Sequence, residues 1–151
     1  MRRLILLLAL VALPALAQAR LTDAAVRAFV AHQERAWNAG DLAGYFAGFT
    51  PDARFTDQAY VGEKPPVPYG TSTLDQARTQ ARKALKGDKP HETGRILRIV
   101  IAADGQSARV DSTVASQVKA RRLCASRSQV VVLQKGGLRS RGQTDTFVRC
   151  R

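Results

Sequence analysis

The chain has 151 residues, 45% of them hydrophobic and 24% charged, a composition that suits one globular domain and leaves little room for a second. Eleven Gly and six Pro, with no single-residue runs and no repeating period, exclude a disordered, collagen-like or solenoid chain. A formal charge of +12 excludes an acidic solvating protein and raises anionic partners.

Residues 1–19 read as a secretory signal. Met1-Arg2-Arg3 is a basic start, Leu4 to Leu16 is apolar apart from Pro14, and Ala17-Gln18-Ala19 has the small-x-small pattern of a cleavage site. The apolar run of thirteen residues is shorter than the roughly 20 needed to span a bilayer, and no Cys near the cleavage site offers a lipid anchor. The mature chain is therefore expected to begin at Arg20, to form one domain over residues 20–151, and to be periplasmic or secreted. Its charge is lopsided: residues 20–75 hold five basic and seven acidic side chains, residues 76–151 seventeen and five.

Thr22 is placed to cap a helix from Asp23 to about Asn38 that carries Val26, Phe29, Val30, Gln33 and Trp37 on one face, with Gly40 as its stop. Asp41 caps a short second helix whose Leu42, Tyr45, Phe46 and Phe49 repeat every three or four residues and which ends before Pro51. A short strand follows over Ala53–Asp57. Tyr60 to Gly70, with three Pro and two Gly, reads as a mobile loop. Ser72 and Asp75 resemble a capping box for a third helix that ends at Gly87 and carries Arg78, Arg82 and Lys86 as a basic stripe.

Beyond the third helix the pattern is strand. Arg95–Ala102 and Ser107–Val118 flank Asp104-Gly105, a strong hairpin signal, and a two-residue turn there sets Leu97, Ile99 and Ile101 against Ser112, Val110 and Ala108. On the other face Arg98 falls opposite Asp111. Val130–Leu133, Gly136-Gly137 and Leu138–Cys150 read as a second hairpin. Centred on Gly137, it pairs Cys124 with Cys150; a two-residue Gly136-Gly137 turn leaves them one position off, which a bulge absorbs. In an oxidising compartment this even count predicts a disulfide, worth about 3 kcal/mol in the chain-entropy model. The element order predicts an α+β fold, a curved antiparallel sheet covering helices on one side.

Ala36-Trp37-Asn38-Ala39-Gly40-Asp41-Leu42, followed by Phe49-Thr50-Pro51-Asp52-Ala53-Arg54-Phe55-Thr56-Asp57, resembles the opening of the nuclear transport factor 2-like superfamily, which includes ketosteroid isomerase and SnoaL-like cyclases. The resemblance implies a cone-shaped sheet wrapped around three N-terminal helices, an internal pocket between the sheet's concave face and the long helix, and frequent assembly as a homodimer. It also puts Asp57 where the isomerases carry their proton-shuttling base. In those enzymes a Tyr and a protonated Asp complete the site. Here the corresponding positions are Gln33 and Ser128 or Gln129, so steroid isomerisation is not expected. The superfamily includes enzymes, binders and transport adaptors, and the fold alone does not choose among them.

Strand alternation puts Ala53, Phe55 and Asp57 on one face. Desolvation beside Phe55 raises a carboxylate's pKa, which suits Asp57 to general-base or ligand-anchoring work. Gln33 is placed to donate to a ligand carbonyl. Trp37, Tyr45 and Phe55 are candidate wall residues, Tyr60 and Tyr69 candidate closing residues, and Asp145, on one strand face with Gln143 and Phe147, a further candidate lining residue. His32 and His91 are isolated, and no metal or cofactor motif is present. Three functions follow: a binder of a small apolar or amphipathic molecule; an isomerase, dehydratase or cyclase with Asp57 as base; and a protein docking on an anionic glycan or lipid surface through Arg78, Arg82, Lys86, Arg121, Arg122 and Arg139. Export and the lack of aromatic and basic interleaving argue against nucleic acid.

Overall fold

A computed structural model describes residues 19–87 and 89–150. The expected signal segment lies outside the described residues except for its last residue, Ala19. Helix α1 (Asp23–Ala39) starts where the Thr22 hydroxyl accepts from the Ala25 amide at 3.2 Å and stops at Gly40, whose φ of 75° only glycine adopts freely. Helix α2 (Leu42–Ala47) is capped by Asp41, which accepts from the Gly44 amide at 2.9 Å. Helix α1 and the start of α2 lie within a residue of the positions that the caps predict, but α2 stops at Ala47, and Phe49, expected on its apolar face, opens the strand that follows.

Strand β1 spans Phe49–Ala59, longer at both ends than expected, and β2 (Val67–Thr73) is a strand where a loop was predicted. The prolines misled because β2 lies at the sheet edge. Pro68 needs no ladder bond on its open side, and β2 pairs with β1 alone, leaving only residues 60–66 as a loop. Helix α3 (Leu74–Ala84) begins one residue later than Ser72 and Asp75 suggested. Its capping box is Thr73 with Gln76, whose side-chain oxygen accepts from the Thr73 amide at 2.9 Å. The helix ends at Ala84, short of the expected Gly87, so Lys86 lies beyond it and the basic stripe is cut short.

Four long strands complete the chain: β3 (His91–Ile101), β4 (Ser107–Val118), β5 (Arg121–Gln134) and β6 (Gly137–Val148). The β3–β4 hairpin has the predicted register from Arg98↔Asp111 to Ile101↔Ala108, and a bulge at Leu97 then shifts it. Leu97 is therefore turned out, 56% exposed, and Ile96 takes its place opposite Ser112. The β5–β6 turn sits on Lys135-Gly136, not Gly136-Gly137, because Gln134 pairs with Gly137. Cys124 accordingly faces Val148, and Cys150 closes the disulfide from just past the strand, with 5.2 Å between the two Cα atoms. The bond exists, although the register used to anticipate it was displaced.

The six strands form one sheet in the order β2-β1-β6-β5-β4-β3, antiparallel except for the β1–β6 pair. Two apolar clusters fill its covered side. One joins the end of α1, α2, α3 and the start of β1 through Ala36, Tyr45, Phe46, Phe49, Ala53, Leu74 and Ala81; the other joins the start of α1 to the sheet through Leu21, Val26, Ala108, Val110 and Val131. Among the described residues no helix is long and apolar enough to cross a membrane.

The parallel β1–β6 contact depends on Gly142. Its φ is 130°, and a Cβ there would lie 1.8 Å from the Arg54 carbonyl oxygen. Gly142→Ala must push the strands apart and is expected to cost about 1–3 kcal/mol in urea unfolding. Gly136→Ala, also at positive φ but with open space around it, is expected to cost less. Equal losses would show that close approach is not what requires glycine at 142.

Candidate functional site

Alternation along the paired strands lays three rows of side chains across the covered face: Phe55–Gln143–Gln129–Val110, then Asp57–Asp145–Arg127–Ser112, then Ala59–Phe147–Ala125–Val114. The middle row is charged. The Arg127 guanidinium donates through Nε to Asp145 Oδ1 at 2.7 Å and through Nη2 to Asp145 Oδ2 at 2.8 Å, and through Nη1 to Glu92 Oε1 at 2.6 Å. All three side chains are nearly buried, with 13–15% exposure. Burial works against the Arg127 charge, but the hydrogen bond to Asp145 and the nearby Glu92 outweigh it and hold its pKa well above the ordinary value.

Glu92 reaches this row because α1 positions β3. The Asn38 side chain donates to the Glu92 carbonyl at 2.7 Å and accepts from the Glu92 amide at 2.8 Å, while Glu34 Oε2 accepts from the Gly94 amide at 3.0 Å. The Asn38 of the Trp37-Asn38-Ala39-Gly40-Asp41 stretch thus acts as a backbone clamp.

The charged row separates two cavities. One, of about 440 Å³, is walled by Trp37, Tyr45, Phe46, Phe55 and Phe147 together with α3 and bears Asp57 and Asp145. The other, of about 340 Å³, lies under α1 and is lined by Gln33, Val30, Ile96, Ser112 and Gln129. Tyr45, Glu92, Val114, Arg127 and Gln143 line both. Of the residues singled out in the sequence, Trp37, Tyr45, Phe55, Asp57 and Asp145 meet in the first cavity. Gln33 is buried in the second, its side-chain nitrogen without a hydrogen-bond partner, and does not stand across from Asp57. Tyr69 is 65% exposed on β2 with its ring 6.3 Å from that of Phe147, and Tyr60 is exposed just beyond β1.

Asp57 differs from its neighbours. It lines the first cavity and is exposed, with no hydrogen-bond partner among the described residues and with Gly70 opposite it on β2. Partial desolvation and then the adjacent Asp145 raise its pKa, against a weaker pull from Arg127. Tyr45 is buried, and burial first, then Glu92 and Asp145, push its hydroxyl pKa up despite Arg127 and the 3.4 Å hydrogen bond it donates to Gln143. Tyr45 also centres an aromatic group, 5.1 Å from Trp37 and 5.0 Å from Phe46. Among the described residues no group of three His, Cys, Asp or Glu is placed to hold a metal.

Sequence reasoning missed Arg127 and Glu92. The signal was present for one of them: Arg127 shares the parity of Ala125, Val131 and Leu133, so a charge falls among the inward positions of that strand.

Solved structures agree with this architecture. A domain of unknown function with a cystatin-like fold from Nostoc punctiforme superimposes with a TM-score of 0.65 at 17% identity, over 86% of this chain and 81% of that one. An NTF-2-like protein of unknown function from Shewanella oneidensis gives 0.64 at 14% identity, over 82% and 97%. This chain has the nuclear transport factor 2-like fold. A ketosteroid isomerase-like protein from Erwinia carotovora, with a TM-score of 0.61 at 13% identity over 84% and 96%, carries the same fold. No protein-family profile matches the sequence, and no curated protein matches it.

The direction of the Asp57 shift sets a pH dependence. A carboxyl group with a raised pKa in the fold contributes nothing below its ordinary value of 3.8. As pH rises past that value the unfolded chain ionises first, so the fold loses stability until the folded-state pKa is passed. Asp57→Asn removes this loss. Urea unfolding from below pH 3.8 to neutrality is expected to show the variant gaining on the wild type as pH rises. A difference independent of pH would contradict the assignment.

Proposed function

We propose that the chain is an exported binding protein of nuclear transport factor 2-like fold whose larger helix-side cavity takes a small amphipathic molecule. The observation that carries this reading is an aromatic-walled space of about 440 Å³ ending at an unpartnered carboxylate, Asp57. Trp37, Phe46, Phe55 and Phe147 supply apolar surface for a ligand body, and Asp57 supplies an acceptor for its polar end. The charges narrow the ligand further. Asp57, Asp145 and Glu92 face one arginine, Arg127, and an excess of acid favours a hydrogen-bond donor or an amine over a carboxylate. Export is supported by the signal-like N-terminus and by the Cys124–Cys150 disulfide.

A second reading, Asp57 as a general base, is favoured by its raised pKa and its lack of a hydrogen-bond partner. It ranks lower because Gln33, the donor expected beside Asp57, lies in the other cavity and the Tyr45 hydroxyl is engaged with Gln143.

Calorimetric titration with aryl-alkyl amines, alcohols, ketones and carboxylic acids of one size is the test. Amines or alcohols are expected to bind in preference to acids, and Asp57→Asn is expected to lose about 1–3 kcal/mol of that affinity. Under the enzyme reading the variant retains binding and loses turnover by several kcal/mol. Preferential binding of the acids, or amine binding indifferent to Asp57→Asn, would overturn the proposed polar anchor.

A further inference from the structure

The face of the sheet turned away from the helices has a second recess. Two rows cross it, Thr93–Ala115–Cys124–Val148 and Arg95–Thr113–Ser126–Thr146. A groove of about 770 Å³ runs over these rows, with the hydroxyls of Thr93, Thr113 and Ser126 among its lining and Arg95, Arg122 and Arg149 around it. Among the described residues no Asp, Glu or aromatic ring lines it, and the three arginines make no ion pair. Asp111, the one carboxylate on this face of β3–β6 among the described residues, lies a row further on and is occupied by Arg98 and Arg109, each at 3.0 Å. The arginine charge is therefore not cancelled from within the face. The disulfide contributes directly: Cys124 lines the groove, and its bond to Cys150 tethers Arg149 beside it.

The geometry points to a binding site for a linear acidic oligosaccharide, whose sulfate or carboxylate groups pair with Arg95, Arg122 and Arg149 while its hydroxyls meet Thr93, Thr113 and Ser126. Arginine's fork suits planar or tetrahedral oxyanions, and a hydroxyl-lined floor suits sugar. Single-stranded nucleic acid finds no aromatic shelf for its bases. This site is on the opposite side of the sheet from the Asp57 cavity and stands independently of the function proposed there.

The test is calorimetric titration of a heparin-derived hexasaccharide into the full exported chain at low and high salt, with thermal melts to verify folding. Binding is expected, to weaken with salt. Arg95→Gln/Arg122→Gln/Arg149→Gln is expected to lower affinity by about tenfold or more. Arg78→Gln/Arg82→Gln/Lys86→Gln, which removes the same charge around α3, is expected to change it by less than about twofold. Equal losses in the two triple variants would reduce the effect to net charge and overturn the site. No binding by the wild type, or phosphatidylglycerol vesicles bound more tightly than the hexasaccharide and released by the same groove substitutions, would overturn it as well.

Discussion

Arg127 reaches from the middle of the sheet into two nearly buried carboxylates, and much of the interior is arranged around that requirement. An arginine with 14% exposure is tolerable only when paired, and the partners come from different strands: Asp145 directly opposite on β6, and Glu92 on β3, delivered by the Asn38 clamp. This charged row lies between the two cavities. Its contribution is less to net stability, since a buried pair rarely outperforms apolar packing, than to the shape and charge of the space left over. Two acids sharing one arginine leave the row negative, and the neighbouring Asp57 adds to it.

The sheet's alternation then produces two chemistries from a few consecutive residues. On β5, Ala125 and Arg127 face the helices, whereas Arg122, Cys124 and Ser126 face outward. The inner side presents aromatic rings with excess acid, and the outer side of β3–β6 presents arginine and hydroxyl groups, with Asp111, its one acid among the described residues, already occupied. The uneven charge of the sequence, concentrated after residue 76, is thus carried mostly by outward positions of β3–β6 and by the ends of these strands. Of the α3 cations, Arg78 is engaged: it lies over the Phe46 ring at 5.8 Å and pairs with Asp75 at 3.3 Å.

Local rules were read well from the sequence. Thr22, Gly40 and Asp41 mark helix ends because a capping side chain or a left-handed residue acts within four positions, and Asp104-Gly105 sets the first hairpin for the same reason. What failed required knowledge of neighbours. Pro68 is tolerable in β2 because that strand has only one partner, Leu97 is expelled by a bulge, and the last turn slipped toward Lys135 although the disulfide it was used to infer is present. For the site, the parity of β1 and β6 was enough to bring Asp57 and Asp145 to one face. Glu92 was not legible, since it reaches the site through a clamp made 54 residues away in sequence.

The most direct test of this account is urea unfolding of Arg127→Leu beside Glu92→Gln/Arg127→Leu/Asp145→Asn. If the paired row is what the interior depends on, the single change strands two buried carboxylates and costs about 3–5 kcal/mol at neutral pH, and neutralising all three recovers most of that loss. A single variant within about 1 kcal/mol of the wild type, in the range of an exposed ion pair, would contradict it.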